Sequence, residues 1–542
     1  MPLSTTRRLR QESHFDGRQL LCYADRPADL LALFRQTIAA APDTLALIDE
    51  QQQISYRELA EASAAVATVF NSLRLRPGDR LVLLTGNCIE FGVIALAAWR
   101  LGLVIVPLNP RNVRNEVAYV LNQCQAKALV FEEALADRTP VDGQAPSCSL
   151  VLEVRSLIAR SRAAALEGSS VGASDQWYQS GEEDVAVLLY TSGTTGKPKG
   201  AMLTHLNLIH SVLHFVDTMD LHEGRERSLL AVPISHVTGL VAIWLTMVAT
   251  RGTTVMIREF KAPVFLAAMV KHGVTHTIVV PAIYNLLMRD PQFADHDLQA
   301  WRIGGFGGAA MPQATISALA KALPGLGLMN AYGATETTSP VTLMPAAEQG
   351  VRLDSVGRLM PCAQLRVVDE EGHEVGCGET GELWIAGPMV VPGYWDNAEA
   401  NGHEFTDGFW KSGDLGTIDA HGYVRVLDRK KDMINRGGYK VYSAEVEGVL
   451  CAHPAVLEAA VFGQSDPVLG ERSRAVIVLQ PGTKRAALDL KAIEATLRGH
   501  CADLMADYKV PDFFEFREQA LPRNPNGKVL KRELRAITIP RH

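Results

Sequence analysis

The chain has 542 residues, a hydrophobic content of 47% and a formal net charge of −7, which predicts a globular protein of roughly three or four lobes. The charge and the lack of a basic cluster argue against nucleic acid as the main partner. A helix that spans a membrane needs about 18–20 apolar residues, and no apolar run in this sequence is that long. The eight cysteines include no C-x-x-C pair, so we expect reduced thiols in the cytoplasm, with neither disulfides nor a zinc site.

Short apolar runs alternate with helical patterns early in the chain. The pattern predicts strands at residues 81–85, 103–106 and 128–131 and helices at 89–101 and 115–124. Such alternation is typical of a mostly parallel sheet covered by helices. Residues 133–183 are rich in Ala, Ser, Gly and charged residues, which predicts a poorly ordered connection.

The most informative stretch is residues 190–200, which read Y-T-S-G-T-T-G-K-P-K-G. Its backbone N–H groups, hydroxyls and lysines are the groups that bind polyphosphate. The common phosphate loop has four residues between its first glycine and the Gly-Lys pair. Here two threonines separate Gly193 from Gly196, and Pro198 lacks the N–H that a helix start would offer. We therefore expect a phosphate loop of another kind, the alternative being a glycine-rich surface turn.

A second α/β run follows this loop. It predicts strands at residues 229–234, 253–257 and 275–280, and helices at 240–250 and 264–272 that end at Gly252 and Gly273. Residues 351–387 carry short strand patterns separated by glycines and acidic turns, which predicts a small β-rich lobe. After about residue 429 a mixed α/β segment is long enough for a separate domain.

Residues 330–336 read N-A-Y-G-A-T-E. Tyr332 can stack on a purine, Thr335 can donate to a phosphate oxygen, and Glu336 can hold Mg²⁺, a hard cation that prefers oxygen ligands. An ordinary turn with a helix cap is the alternative for this motif taken alone. Upstream, G-G-A-A-M-P at residues 307–312 joins a predicted strand to a helix at 312–323, and small residues there let a flat ligand approach the backbone.

Three more motifs lie in the last quarter of the chain. Residues 407–414 read D-G-F-W-K-S-G-D, and the final Asp414 is a natural acceptor for two ribose hydroxyls, although a lone aspartate is more often a solvated turn residue. Residues 436–441 read R-G-G-Y-K-V and contain a glycine pair that in most proteins is a turn. Residues 521–528 read L-P-R-N-P-N-G-K and end at Lys528, for which an exposed lysine near a terminus is the alternative.

Together these motifs resemble the signature of the adenylate-forming superfamily, in particular medium-chain acyl-CoA synthetases and 4-coumarate- and 4-chlorobenzoate-type CoA ligases, over roughly residues 30–535. The resemblance implies an α/β multidomain fold of the acetyl-CoA synthetase kind. A large N-terminal domain, residues 1–429, would contain two α/β lobes and a β-barrel. A small mobile C-terminal α+β domain, residues 430–542, would swing on a hinge near Lys431.

The resemblance also implies the reaction. A carboxylic acid and Mg·ATP form an acyl-adenylate and pyrophosphate, and coenzyme A then takes the acyl group and releases AMP. The implied catalytic residues are Lys528, Thr335, Glu336, which is also the metal ligand, and His236, for which a buried structural histidine is the alternative. The residues implied for binding ATP and coenzyme A are Thr191, Ser192, Gly193, Thr194, Thr195, Gly196, Lys199, Gly308, Ala309, Ala310, Asn330, Ala331, Tyr332, Gly333, Asp414, Arg429, Gly437 and Gly438.

Two of these implied roles also have a physical reason. Two anions repel by about 4 kcal/mol at 4 Å in an effective dielectric near 20, so a mobile point charge at Lys528 would offset the repulsion between the carboxylate and the α-phosphate. Lys528 is far along the chain from the phosphate loop, so closure of the small domain must bring it in. At Gly437 and Gly438, missing side chains would let a pantetheine arm pass.

The segments that line the acyl pocket in relatives, residues 232–244, 304–310 and 332–340, contain no Lys or Arg. An acid with a neutral tail, medium-chain or aromatic, is therefore expected over a malonate-like diacid, and Phe306 and Trp244 are expected to shape the pocket. The alternatives are an enzyme that loads a separate carrier protein, a luciferase, a nucleotide sensor without catalysis, and an ATPase of the common phosphate-loop kind. A monomer or homodimer is expected.

Overall fold

The computed structural model describes residues 3, 5–166, 177–191, 197–309, 311–480, 487–523 and 529–536. The chain divides into two compact units. The first comprises Met1–Leu365, Ile385–Lys411 and His421–Tyr423, and the second comprises Arg366–Trp384, Ser412–Ala420 and Val424–His542. The domain boundary between residues 429 and 430 and the hinge at Lys431 stay predictions.

The first unit begins with an antiparallel hairpin and a mostly parallel sheet. The hairpin strands are β1 (Leu9–His14) and β2 (Arg18–Tyr23). The strands of the first sheet are β5 (Arg80–Leu84), β6 (Val104–Leu108), β7 (Ala128–Phe131), β8 (Leu150–Glu153), β9 (Val185–Thr191) and β10 (Lys199–Thr204). Their order is β10-β9-β6-β5-β7-β8, and β10 alone among these described strands runs antiparallel to its neighbour.

A second sheet lies further along the first unit. Its strands are β3 (Leu45–Ile48), β4 (Gln53–Ser55), β11 (Arg227–Leu230), β12 (Thr253–Met256), β13 (His276–Val279), β14 (Ile303–Gly307), β15 (Gly327–Tyr332), β16 (Thr342–Leu343) and β17 (Gly357–Leu359). They are ordered β17-β16-β15-β14-β13-β11-β12-β3-β4. The run from β15 to β3 is parallel, so the carboxyl ends of β11, β13, β14 and β15 meet at one edge.

Helices cover these sheets. They are α1 (Leu30–Ala40), α2 (Tyr56–Ser72), α3 (Ile89–Arg100), α4 (Arg114–Gln123), α5 (Val154–Leu166), α6 (His205–Thr218), α7 (Thr246–Ala249), α8 (Ala262–His272), α9 (Pro281–Met288) and α10 (Gln313–Ala322). α3 contacts both β6 of the first sheet and β3 of the second. Nearly every α3 side chain is buried, because a helix packed between two sheets is apolar on all faces.

Antiparallel strands follow the second sheet. They are β18 (Gln364–Val368), β19 (Gly381–Ala386), β20 (Phe405–Thr406), β21 (Phe409–Ile418) and β22 (Tyr423–Arg429), with α11 (Ala398–Glu404) among them. The C-terminal elements are β23 (Ile434–Arg436), β24 (Tyr439–Val441), α12 (Ser443–Ala452), β25 (Val456–Asp466), β26 (Gly470–Leu479), α13 (Ala487–Leu504), β27 (Phe513–Arg517) and α14 (Lys531–Ala536). β26 is central in their mixed sheet, antiparallel to β25 and parallel to β27.

Three expectations about secondary structure need correction. Residues 133–183 are not a disordered connection where they are described: β8 pairs with β7, and Leu157 of α5 is buried. The helix expected at 240–250 is a π-helix, Thr238–Leu245, followed by α7. Gly252 does not supply the left-handed residue after α7. Arg251 does so with φ 53°, and Gly252 is needed because a Cβ there would lie 2.6 Å from the Glu226 carbonyl oxygen.

Trp244 lies in the core of the first unit and does not shape a pocket. Its indole stacks on Trp99 with centroids 5.8 Å apart and packs against Phe34 and Phe91. Phe306 is buried in a second apolar cluster with Tyr284. Aromatic side chains of this size contribute most of the apolar area that such cores bury. We therefore assign both rings to the core and not to a substrate pocket.

Candidate active site

The predicted phosphate loop is held at both ends by a hairpin. β9 and β10 pair so that Thr191 lies opposite Lys199 and Tyr190 opposite Gly200. Ser192, Gly193, Thr194, Thr195 and Gly196 lie outside the described residues, as do Ala310 and Lys528. The Thr191 hydroxyl is buried and has no hydrogen-bond partner among the described residues. Since a buried hydroxyl without a partner is costly, this position fits a ligand that can accept a hydrogen bond.

The sheet brings two of the predicted motifs together. Ala331 on β15 pairs with Gly307 on β14, so Gly308 and Ala309 follow one strand and Gly333 follows its neighbour at the same edge. Ligands of open α/β sheets bind at the carboxyl ends of the strands. A Cβ on Gly307 would lie 2.4 Å from the Ala331 carbonyl oxygen, so glycine is required for this close approach.

Further residues of the same motif complete this edge. Asn330, Ala331 and Tyr332 are the last residues of β15, and Thr335 and Glu336 begin a 3₁₀ turn just beyond it. The Thr337 hydroxyl accepts a hydrogen bond from the Ala334 N–H at 2.9 Å and so closes that turn. A hydroxyl and a carboxylate in one turn are oxygen donors of the kind that Mg²⁺ prefers. The residues present therefore fit a magnesium ion.

Glu336 is part of a buried network of four side chains. The Tyr394 hydroxyl lies 2.9 Å from Glu336 Oε1 and 2.6 Å from Glu404 Oε2. The Lys199 ammonium forms an ion pair with Glu404 and lies 4.3 Å from the centroid of the Tyr394 ring. Burial, followed by the two carboxylates, raises the pKa of Tyr394 far above its usual value. The phenol is therefore protonated and able to donate.

Sequence reasoning placed Lys199 and Glu336 at the site but missed Tyr394 and Glu404. The sequence does not indicate these contacts, because Tyr394 is 58 residues from Glu336 and Glu404 is 205 residues from Lys199. One signal was present in the sequence: Gly393, Tyr394 and Trp395 form a small-aromatic-aromatic run after a strand pattern.

His236 follows β11 at the same edge of the second sheet. Its Nδ1 accepts a hydrogen bond from the Thr238 N–H at 3.3 Å. Burial lowers the pKa of His236 below its usual value, so the imidazole is neutral at pH 7. The π-helix begins at Thr238, and π-helical turns often occur at functional sites. Gly239 allows the chain to fold back, since a Cβ there would lie 2.3 Å from the Pro233 carbonyl oxygen.

In the second unit, Asp414 and Arg429 face each other across β21 and β22. Arg429 Nε lies 2.7 Å from Asp414 Oδ1, and its guanidinium also donates to the Ser412 carbonyl oxygen at 3.0 Å. Asp414 is buried. The two residues that the sequence predicted for ribose binding thus form one ion pair, which orients the carboxylate.

Gly437 and Gly438 form the two-residue turn between β23 and β24. Their φ angles are 61° and 89°, and Arg436 pairs with Tyr439 across the turn. Two-residue hairpin loops of this kind need positive φ at both positions, which glycine adopts without strain. The turn alone explains the glycine pair. A Cβ on Gly438 would meet no described atom within 4 Å, so the space beside it is open.

A further cluster of metal-binding side chain types lies on the N-terminal hairpin. Ligand atoms of Glu12, His14 and Cys22 lie within 4.8 Å of one another. The Arg26 guanidinium already donates to both Glu12 oxygens, at 2.8 and 2.7 Å, and this contact lowers the pKa of Glu12 to about 2. An ion-pair network therefore accounts for the cluster.

Two family models match the chain. Residues 34–395 match the family model described as AMP-binding enzyme, and residues 445–528 match the AMP-binding enzyme C-terminal domain. A feruloyl-CoA synthase from Amycolatopsis sp is 33% identical over 89% of this chain and 93% of its own length. The long-chain-fatty-acid–CoA ligase FadD13 of Mycobacterium tuberculosis is 31% identical over 94% of this chain and 99% of its own length.

A relative has been solved with its ligands bound. The o-succinylbenzoate CoA synthetase MenE of Bacillus subtilis, solved in complex with the acyl-adenylate intermediate OSB-AMP, is similar to this chain with a TM-score of 0.80 and 28% sequence identity. The match covers 93% of this chain and 97% of the MenE chain. The same enzyme has been solved with ATP and a magnesium ion, where 98% of its length is covered.

The fold and the site define an adenylate-forming enzyme of the α/β class with a large N-terminal and a small C-terminal domain. The chain belongs to the AMP-binding enzyme family. The comparisons confirm the predicted superfamily, fold class and reaction: an AMP-forming acid–thiol ligase, an acyl- or aryl-CoA synthetase that uses ATP, Mg²⁺ and coenzyme A. Among the residues that the structure describes, no helix is long and apolar enough to cross a membrane.

Proposed function

We propose that this synthetase activates a monocarboxylic acid with an uncharged tail, medium-chain or aromatic. The observation that carries the proposal is the absence of Lys and Arg from residues 232–244, 304–310 and 332–340. The first segment follows β11, the second comprises most of β14 and the residues just after it, and the third begins at the last residue of β15. His236, which lies in the first of them, is neutral at pH 7 because burial lowers its pKa. A second carboxylate held there would lose its hydration without gaining a cation from these segments.

The names of two relatives support this substrate class. Feruloyl and long-chain fatty acyl groups both derive from monocarboxylic acids whose tails carry no charge at neutral pH. The o-succinylbenzoate named for MenE carries a second carboxylate, which makes it the informative contrast. A diacid of that kind would need a cation that the three segments do not supply.

In the first half-reaction the carboxylate oxygen attacks the α-phosphorus of ATP, and pyrophosphate leaves. Glu336 would hold the metal, Thr335 and residues Thr191 to Gly196 donate to the phosphates, and Tyr332 stacks on the adenine. Mg²⁺, when bound, neutralises part of the triphosphate charge. His236 orients the carboxylate as a neutral group. Lys528 offsets the repulsion between the two reacting anions.

In the second half-reaction the thiol of coenzyme A attacks the mixed anhydride, and AMP leaves. Asp414, oriented by Arg429, accepts from the ribose hydroxyls. Gly437 and Gly438 leave room for the pantetheine arm, and residues 430–542 move about Lys431 between the two steps. The eight cysteines form no disulfide, which supports a cytoplasmic enzyme. It acts as a monomer or homodimer.

The test is pyrophosphate release across short, medium, long and aromatic monocarboxylic acids and two diacids, malonate and o-succinylbenzoate, each with and without coenzyme A. We expect release with one class of neutral-tailed acid and faster turnover when coenzyme A is added. Saturable activity on a diacid but on no monocarboxylic acid would refute the substrate class. Acid-dependent ATP–pyrophosphate exchange without gain from coenzyme A would identify a carrier protein as the acceptor, and no signal with any acid would favour a nucleotide sensor.

A further inference from the structure

Tyr394 and Glu404 have no role in the reaction described above, yet they connect Lys199 to Glu336. We propose that Tyr394 and Glu404 are positioning residues that hold the Glu336 carboxylate in the orientation required to bind magnesium. The proposal rests on the metal role of Glu336 stated under the proposed function. It assigns no contact between either residue and the substrates.

The side chains form a chain of contacts that ends on the carboxylate. The Tyr394 hydroxyl is 2.9 Å from Glu336 Oε1, and Tyr394 is 1% exposed. The phenol has one proton to donate, and Glu404, which lies 2.6 Å from the same hydroxyl, is already paired with the Lys199 ammonium, so the proton is available to Glu336. A free glutamate loses rotamer entropy when it is ordered. A carboxylate that is already oriented does not lose that entropy again when a metal binds.

Hydrogen bonds and ring packing also hold Tyr394 itself in place. The Asn401 amide accepts from the Tyr394 N–H at 2.6 Å and donates to the Tyr394 carbonyl oxygen at 2.9 Å. The Phe405 ring packs edge-on against the Tyr394 ring, with centroids 5.6 Å apart. The Val391 N–H donates to the Glu336 carbonyl oxygen at 2.9 Å. Both the main chain and the side chain of Glu336 are therefore attached to one segment, residues 391–395.

Lys199 completes the network as its counter-charge. Its side chain is 6% exposed, and its ammonium is engaged by Glu404 and by the face of the Tyr394 ring. Two carboxylates around one phenol would repel each other, and an ammonium beside them reduces that repulsion. In this arrangement Lys199 acts on Glu336 through Glu404 and Tyr394.

The experiment measures ATP binding by titration calorimetry with the full chain, once with Mn²⁺ and once with EDTA. The variants are Tyr394→Phe, Glu404→Gln and the double variant, with Glu336→Gln as reference. Tyr56→Phe is the matched control, because Tyr56 is a buried phenol whose hydroxyl also lies near two acceptors, the carbonyl oxygens of Met247 and Gly252. Loss of residues that orient a metal ligand typically weakens metal binding by 10–100-fold.

We expect Tyr394→Phe and Glu404→Gln each to weaken Mn²⁺-dependent ATP binding by about tenfold and binding in EDTA by less than about twofold. The double variant should lose no more than about the larger single effect, because both residues act through Glu336. An unchanged gain from Mn²⁺, or an equal loss with and without metal, would overturn the positioning role. Full metal-dependent binding by Glu336→Gln would instead overturn the metal role of Glu336, and the positioning role with it.

Discussion

Two regions assigned to the reaction are built in opposite ways. Around Glu336 in the first unit, buried side chains from distant parts of the chain contact one another through Tyr394. At Gly437 and Gly438 in the second unit, backbone conformation alone makes a tight turn with open space beside it. The first region therefore depends on charge and hydrogen bonding, and the second on the φ angles that its residues can adopt.

The largest expected effect tests whether a single charge can separate the two half-reactions. Lys528→Ala should lower the rate of adenylate formation by about 10²–10³-fold, the usual cost of losing one group that stabilises developing charge. Thioester formation from supplied acyl-adenylate should be spared. Single-turnover assays of each half-reaction measure the two rates separately, and Lys528→Arg is the control that keeps the charge. Equal loss in both half-reactions would refute the assigned role.

The second effect tests whether the network around Glu336 also stabilises the fold. Lys199→Met leaves the Glu404 carboxylate, 21% exposed, without its ion-pair partner, and should lower the free energy of unfolding by about 3 kcal/mol. Lys440→Met is the control in the second unit. Lys440 is 53% exposed and its partner Glu370 is 73% exposed, so the cost should be about 1 kcal/mol or less. Guanidinium unfolding of both variants measures the difference, and equal costs would erase the contrast between the regions.

Burial in the first unit has a third consequence, which depends on pH. Burial is the main cause that lowers the pKa of His210 on α6 from 6.5 to about 3. Between these values the unfolded chain binds a proton that the folded chain does not, so stability is complete above pH 6.5 and falls as the pH decreases. One such histidine costs about 1.4 kcal/mol per pH unit, or about 2 kcal/mol at pH 5.

Chemical unfolding at pH 7 and pH 5 tests this effect. His210→Gln should remove about 2 kcal/mol of the difference in stability between the two pH values. The exposed His222→Gln serves as the control and should keep the difference. An identical pH dependence in wild type and His210→Gln would show that His210 does not remain neutral when the protein is folded.

The smallest expected effect separates the turn from the passage of coenzyme A. Gly438→Leu places a Cβ at φ 89° and should cost about 1–2 kcal/mol of stability, whereas Gly438→Asn tolerates positive φ better. If side-chain volume blocks the pantetheine arm, both variants should slow thioester formation while adenylate formation continues. A thioester step that is unimpaired in both would leave the turn as the reason for the glycine pair.

The sequence predicted the parallel sheets well because their strands are short, apolar and regularly spaced. The strand expected at 128–131 is Ala128–Phe131, and Gly273 ends α8 with φ 56° as expected. Residues 150–166 were misjudged because α5 carries three arginines and two serines and β8 has only four residues. Both are recognisable as elements through their contacts with β7 and α2. The N-terminal hairpin was missed for a similar reason, since charged residues such as Glu12 and Arg26 pair with each other there.

The candidate site was predictable where one motif carries both the turn and the chemistry. Thr335 and Glu336 lie beyond β15 at the edge that the parallel strands share, as the order of elements indicates. Tyr394 and Glu404 could not be found in this way, because contacts across 58 and 205 residues depend on the folded chain. The roles of the predicted site residues stay predictions until the half-reactions are measured.

The segment from Val391 to Trp395 sets a limit for anyone who recombines this enzyme with a relative. Its Val391 N–H is bonded to the Glu336 carbonyl oxygen at 2.9 Å, and its Trp395 N–H to the Gly200 carbonyl oxygen at 2.8 Å. The length of this segment therefore fixes the spacing between the β10 strand at Gly200 and the turn of Glu336. A chimera whose junction inserts or deletes one residue inside it would have to give up one of these attachments, so productive crossover points lie outside residues 391–395.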